Sequence, residues 1–315
     1  MTFLLSIVVP CYREAANLPR LYEELATLGR QIDGDLDVVL VNDGSPDNTF
    51  EVAWALAERD ARIHVLSFSR NFGKEAAMLA GLRAARGDVV VIMDADLQHP
   101  PSLIPQLFEP IRQEAVGQVI ARRDRAGDPW LRTQLSKAYY RVVNSMIDVT
   151  LEDGEGDFRA LSRPAVDALL AMSERNRFSK GLFAWIGFPS RTITYSNVGR
   201  AEGESSWSFR SLVNYGVDGV ISFNDRPLRQ MTAVGAAAVA VALLYLVALL
   251  VDWGRDGVQA PGYITTIAVV TMFGGLQLLS LGLIGEYIGR IYSEVKARPH
   301  YVVEHDSRAL RGRSE

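Results

Sequence analysis

The stretch Val89-Val90-Val91-Ile92-Met93-Asp94-Ala95-Asp96-Leu97-Gln98-His99-Pro100 decides how the rest of the chain is read. Five consecutive apolar residues, mostly β-branched, predict a buried strand. They run directly into two carboxylates one residue apart, an amide, an imidazole and a proline. Such a strand end presents hard oxygen ligands, and Mg2+ or Mn2+ typically takes one or two carboxylates together with phosphate oxygens. A lone Asp-x-Asp also occurs in ordinary surface turns, so its position at a strand end carries the argument. Gln98 can add a neutral carbonyl oxygen, whereas His99 reads as a local hydrogen-bonding residue.

Upstream, strand patterns at Phe3–Pro10, Asp37–Val41 and Ile63–Ser67 alternate with helical patterns over Asn17–Gln31, Thr49–Arg59 and Lys74–Arg86. This βαβαβαβ order predicts an α/β fold with an open, mainly parallel sheet and right-handed crossovers, binding its ligands at the carboxyl ends of the strands. Polar clusters fall at those ends: Tyr12-Arg13-Glu14, Asn42-Asp43-Gly44-Ser45, Ser69 to Lys74, and Asp94 to His99. No G-x-G-x-x-G follows the first strand and no G-x-x-x-x-G-K-[ST] occurs, so dehydrogenase and P-loop readings lose their main support. Further on, Gly117–Arg122 fits another strand. Leu131–Val149 and Trp207–Phe223 are half-apolar, and suit either interfacial helices on a bilayer or helices packed on the sheet.

The chain has 315 residues, 48% of them hydrophobic, enough for a full core. Met231–Val251 and Tyr263–Ile284 are charge-free apolar runs, each long enough as a helix to cross the roughly 30 Å hydrocarbon layer. We expect two transmembrane helices. Arg226 and Arg229 precede the first and Arg290, Lys296 and Arg298 follow the second, while the connection carries only Arg255 against Asp252 and Asp256. The positive-inside rule then puts both termini in the cytoplasm of a protein in the inner or plasma membrane. The expected organisation is a cytoplasmic domain over 1–230, a transmembrane hairpin over 231–285, and a basic cytoplasmic tail over 286–315 that reads as disordered after Pro299. The start of the chain lacks the basic segment of a signal peptide, and its apolar run is cut by Pro10. One cysteine, Cys11, excludes an internal disulfide framework, and a net charge of −4 gives no support for nucleic-acid binding.

Taken together, Val8-Val9-Pro10-Cys11-Tyr12-Arg13-Glu14 with Asn17, Asn42-Asp43-Gly44-Ser45, Arg70-Asn71-Phe72-Gly73-Lys74, Asp94-Ala95-Asp96-Leu97-Gln98 and Gly156-Asp157-Phe158-Arg159 resemble an inverting glycosyltransferase of the GT-A fold. More narrowly they resemble the polyprenyl-phosphate glycosyltransferases, which include dolichyl-phosphate mannose synthases and bacterial bactoprenol glucosyltransferases. The resemblance covers about residues 3–230, and two terminal membrane helices match the bacterial branch. It implies that Pro10, Tyr12, Glu14, Asp43 and Lys74 hold the nucleotide of a nucleotide-sugar, with Asp43 accepting from a ring N–H, and that Asp94 faces the sugar donor. Asp96 and Gln98 would bind a divalent cation, Mg2+ or Mn2+, at the diphosphate. Arg122, Arg132, Ser136 and Arg200 would gather the phosphate of the lipid acceptor. Many relatives have lysine where this chain has Ser206. A homo-oligomer is a further expectation from relatives.

The resemblance also makes Asp157 a candidate catalytic base. A phosphate monoester, however, has a second pKa near 6 and is largely ionised at pH 7, so the acceptor needs positioning more than deprotonation. We therefore expect Asp157 chiefly to orient Arg159, Arg163 or the acceptor-binding arginines. The resemblance implies inverting transfer of one hexose, with UDP-glucose the first donor. GDP-mannose, UDP-N-acetylglucosamine and amino-arabinose donors are alternatives, and a non-catalytic membrane-bound subunit that binds nucleotide-sugar is the alternative of another class.

Overall fold

The computed structural model describes residues 3–114, 116–124, 144, 152, 154–195, 226–256 and 262–311. Strand β4 (Val89–Ile92) is buried along its whole length and lies near the middle of the sheet. It pairs in parallel with β1 (Leu4–Cys11), which pairs in parallel with β2 (Asp35–Asn42), followed by β3 (Ile63–Phe68). Strands buried on both faces carry continuous apolar runs rather than alternation, as the sequence of β4 shows. The helices between them, α1 (Leu18–Gln31), α2 (Thr49–Arg59) and α3 (Lys74–Ala84), are those expected from periodicity, with ends shifted by no more than two residues.

Beyond β4 the order departs from sequence. β6 (Glu155–Ser162) inserts antiparallel between β4 and β5 (Gln118–Arg123), and β7 (Ser190–Tyr195) adds in parallel to β5. The β4–β6 register pairs Ile92 with Arg159. Continued two residues past the strand end, it brings Asp94 opposite Asp157, although 63 residues of chain separate them. Helix α4 (Ile104–Glu114) packs with α1 and α2 on one face, over Ile7, Val9, Val38 and Leu40. On the other face α3, α5 (Arg163–Ala171) and α6 (Ser179–Trp185) cover Val8, Val39, Val41 and Val90. Gly81 lets α3 approach closely: a Cβ there would meet Val8 Cγ1 at 2.2 Å.

Two long helices follow, α7 (Arg226–Asp256) and α8 (Tyr263–Val295). Among the described residues one helix is long and apolar enough to cross a membrane, Thr265–Val295, with a mean hydropathy of 2.0 and none of its apolar window buried. Within α7 the corresponding apolar stretch is the shorter Met231–Tyr245. By this measure only the second of the two expected spans is matched. Helix α8 also runs ten residues past the boundary expected at 285.

Residues 300–311 of the tail are ordered, contrary to expectation. β8 (Val303–Asp306) adds antiparallel to β3 and closes that edge of the eight-stranded sheet, and α9 (Ser307–Arg311) follows. Tyr301 stacks on Phe68 at 4.9 Å, His64 Nε2 meets Asp306 Oδ1 at 2.8 Å, Val65 N donates to Ser307 Oγ at 2.9 Å, and Arg308 pairs with Asp37. The physical reason is the edge itself. Without β8, one side of β3 would present a row of unpaired backbone groups.

Candidate active site

The site forms where the loops after β1, β2, β3 and β4 meet the start of β6. Asp43, at the exit of β2, is 3% exposed, and both its oxygens accept backbone amides of the loop after β3: Oδ1 from Phe72 N at 2.6 Å and Oδ2 from Gly73 N at 2.9 Å. Burial raises its pKa, and these two amides and Arg70 pull it back. Gly44 allows the close approach: its φ is +57°, and a Cβ would sit 2.2 Å from the Arg70 carbonyl carbon. Asp43 thus fixes the turn that starts α3, and with it Lys74.

Lys74 is the centre of the arrangement. Its Nζ lies 2.6 Å from Asp94 Oδ1 and 2.7 Å from Asp157 Oδ2. Burial would lower the pKa of the ammonium, but Asp157 and Asp94 together outweigh it and hold the group charged. Burial likewise opposes ionisation of Asp157, yet Lys74 and Lys180 prevail and keep its carboxyl well below the usual range. No local pattern in the sequence signals this bridge, whose partners lie 20 and 83 residues from Lys74. The sequence reading has Asp157 orient Arg159, Arg163 or the acceptor-binding arginines; among the described residues its ion pair is with Lys74, and Arg132 and Arg200 lie outside them. Arg163 Nε donates to Gly87 O at 2.9 Å. Arg159 donates to Gly156 O at 2.8 Å and lies 3.9 Å from the centre of the Phe183 ring, close enough to Asp157 to act only through its field. Burial lowers the Arg159 pKa to about 10, which leaves it charged at neutral pH.

Past Asp94 the chain turns sharply. Asp96 Oδ1 accepts from Gln98 N at 3.1 Å, and Leu97 between them has φ +59°, a conformation that costs a non-glycine residue on the order of 1–2 kcal/mol. His99 stacks on Phe158 at 4.8 Å and its Nδ1 accepts from Asp94 N at 3.4 Å, the local role read for it from sequence. Burial pushes its pKa down. Asp94 and Asp96 are both half-buried at the strand end. Among the described residues no group of three or more His, Cys, Asp and Glu gathers as a closed metal site. Two carboxylates on one turn nevertheless fit a cation that takes its other ligands from phosphate.

At the end of β1, Pro10 is the last residue but one of the strand, Tyr12 just beyond it is 42% exposed, and Glu14 Oε2 accepts from Asn17 Nδ2 at 2.7 Å. Arg122 lies on β5 opposite Glu155 in register, two residues from Asp157, and forms a 2.9 Å ion pair with Glu152. Arg132, Ser136 and Arg200, and the stretches Leu131–Val149 and Trp207–Phe223 but for Asn144, lie outside the described residues. Sequence reasoning missed Glu75. Its carboxylate accepts from Ser179 N at 3.2 Å and from the Ser179 hydroxyl, tying the first turn of α3 to α6.

Residues 6–170 match glycosyl transferase family 2, and residues 226–291 match the GtrB C-terminal hairpin. The chain is 49% identical over 301 residues to the putative glycosyltransferase CsbB of Bacillus subtilis (strain 168), covering 96% of this chain and 91% of that protein. It is 36% identical over 304 residues to the bactoprenol glucosyl transferase of Shigella phage SfII, covering 96% and 98%. Among solved structures, glucosyl-3-phosphoglycerate synthase from Mycobacterium tuberculosis, in complex with Mn2+ and UDP-glucose, aligns with a TM-score of 0.46 at 21% identity over 70% of this chain and 77% of that one. The chain belongs to glycosyl transferase family 2, and its sheet and helices are the Rossmann-like α/β arrangement of the GT-A type.

Proposed function

We propose that this protein transfers glucose from UDP-glucose, with inversion, to the phosphate of a membrane polyprenyl phosphate. The observation that carries the reading is the Asp94–Lys74–Asp157 bridge at the carboxyl end of β4. The names of full-length relatives, bactoprenol glucosyl transferases at 35–36% identity, support the sugar and the carrier. In the reaction a phosphate oxygen of the acceptor attacks the anomeric carbon while the bond from that carbon to the diphosphate breaks and UDP leaves. Asp94 faces the donor and is held in place by Lys74. Asp157, kept ionised far below neutral pH, is poorly matched to accept a proton at pH 7, which favours an orienting role over that of a base. Arg122, with Arg132, Ser136 and Arg200, meets the acceptor phosphate, and guanidinium groups suit that task because they hold their charge and donate in pairs. Asp96, with Gln98 beside it, would hold Mg2+ or Mn2+, which stabilises negative charge on a departing diphosphate.

The domain proposal is a catalytic domain facing the cytoplasm and a two-helix membrane hairpin. The sheet supports it by parity. β8 follows α8 and lies in the same sheet as β1 to β4, which supports an even number of bilayer crossings between them. If α8 crosses, the apolar stretch Met231–Tyr245 of α7 is the described partner for a second crossing. A lipid-linked acceptor then lies at the bilayer surface beside the catalytic domain.

The decisive experiment offers the purified full chain a panel of nucleotide-sugars with Mn2+ and a short polyprenyl phosphate, followed by mass analysis of the lipid product. A lipid heavier by one hexose, formed fastest from UDP-glucose, is expected. Well-folded protein that releases no UDP and yields no glycosylated lipid would overturn the proposal.

A further inference from the structure

A second polar site lies beside the first turn of α3, lined by Glu75 and Ala76 and not by Lys74, Asp94 or Asp157. A crevice of about 360 Å³ opens between that turn, the loop after α5, and the segment that leads from α8 to β8. Arg70, Arg175, Arg177, Arg298 and His300 line it, against one carboxylate, Glu75, whose oxygens already accept from Ser179. Such a surplus of positive charge stands out in a chain whose net charge is −4. Arg177 is committed to the carbonyls of Met172 and Leu169, and Arg70 to Asn71 O and the Phe72 ring. The side chains of Arg175 and Arg298 make no hydrogen bond or ion pair with any described residue.

The walls are held in place. Arg175 N donates to Glu294 Oε1 at 2.7 Å, which ties the loop to the last turn of α8, and Ser69 N donates to Val302 O at 3.1 Å, which ties the tail to β3. His300 senses the charge: burial lowers its pKa, Arg177, Arg175 and Arg83 lower it further, and Glu294 opposes them. Position identifies the solvent. The charge-free apolar run of α8 ends at Ile284, and Glu286, Arg290 and Glu294 follow on the same helix. If that run crosses the hydrocarbon layer, the last turns of α8 and the crevice beside them emerge on its polar, headgroup side.

We infer that this crevice binds a phosphate group at the membrane surface, the phosphodiester of an anionic phospholipid headgroup, in a site separate from the one that holds the catalytic carboxylates. The headgroup level rests on α8 spanning the bilayer; the recognition of phosphate by Arg175 and Arg298 does not. Guanidinium pairs suit a tetrahedral oxyanion, and a lipid seated there would fix the height of the catalytic domain above the bilayer.

The test uses the full chain in neutral detergent, with native mass spectrometry to count retained phosphatidylglycerol against phosphatidylcholine. Phosphatidylglycerol should be retained selectively. Joint replacement Arg175→Gln and Arg298→Gln should weaken retention at least about tenfold, the loss of one to two charge-assisted hydrogen bonds. Arg175→Lys with Arg298→Lys should keep most of it, and unchanged thermal midpoints show that the variants are folded. Displacement of the lipid by millimolar inorganic phosphate would show that the phosphate alone is recognised; resistance to it would show that the lipid source is required. Equal retention by the wild type and the double Gln variant, or no preference over phosphatidylcholine, would overturn the inference. Because this readout needs no sugar transfer, its failure is separable from failure of the proposed reaction.

Discussion

At the scale of single residues, Lys74 matters most, because one ammonium bridges two carboxylates that would otherwise repel each other across the β4–β6 seam. Lys74→Ala should lower turnover by about a hundredfold or more. Its half-exposed position limits the loss of stability to roughly 1–2 kcal/mol, smaller than for a fully buried pair. Asp157→Asn should reduce kcat in a way that raising the pH does not restore; a loss confined to low pH in the wild type would instead assign Asp157 the base role. Glu75 gives a pH prediction. Burial raises its pKa from 4.5 to about 7, with Asp157 adding to the rise and the Ser179 hydrogen bonds opposing it. The native state thus keeps a proton that the unfolded chain has lost, and stability from this group falls as pH rises across that window, then levels off. The thermal midpoint of Glu75→Gln relative to wild type should therefore climb between about pH 4.5 and 7. A difference that stays flat would show that Glu75 is ionised throughout.

At the scale of elements, the informative pieces are β6 and β8, two of the three strands, with β7, that sequence reading does not supply. β6 carries a motif but no strand signal, because Glu155-Gly156-Asp157-Phe158-Arg159 shows neither a long apolar run nor strict alternation. β8 is four residues long and polar, and its pairing with β3 spans more than two hundred residues of chain. Removal of residues 300–315 should expose the β3 edge, strand His64 without its Asp306 partner, and cost on the order of 3 kcal/mol. The measurement is the midpoint of chemical unfolding together with light scattering. A truncated chain that is equally stable and monodisperse would mean that the tail only rests on the sheet.

For the whole molecule, the same strand turns a question of membrane topology into one of chain parity. Gly262→Cys and Glu304→Cys should react with a membrane-impermeant maleimide from opposite sides of the membrane. Native Cys11 will not interfere, being 1% exposed with its thiol pKa pushed far up by burial. Labelling of both positions from one side would remove the hairpin.

The sequence by itself determined the α/β alternation, the central strand with its terminal carboxylates, and the apolar character of the two long helices α7 and α8. These are local patterns with their own periods, readable wherever burial repeats at a fixed spacing. The tertiary structure decided that Asp157 meets Lys74, that Asp43 is spent on two backbone amides, and that the basic tail is a strand. Each of these depends on register or edge pairing between distant segments. The free energy there comes from satisfying backbone and carboxylate groups across the fold, and no window of local sequence contains both partners.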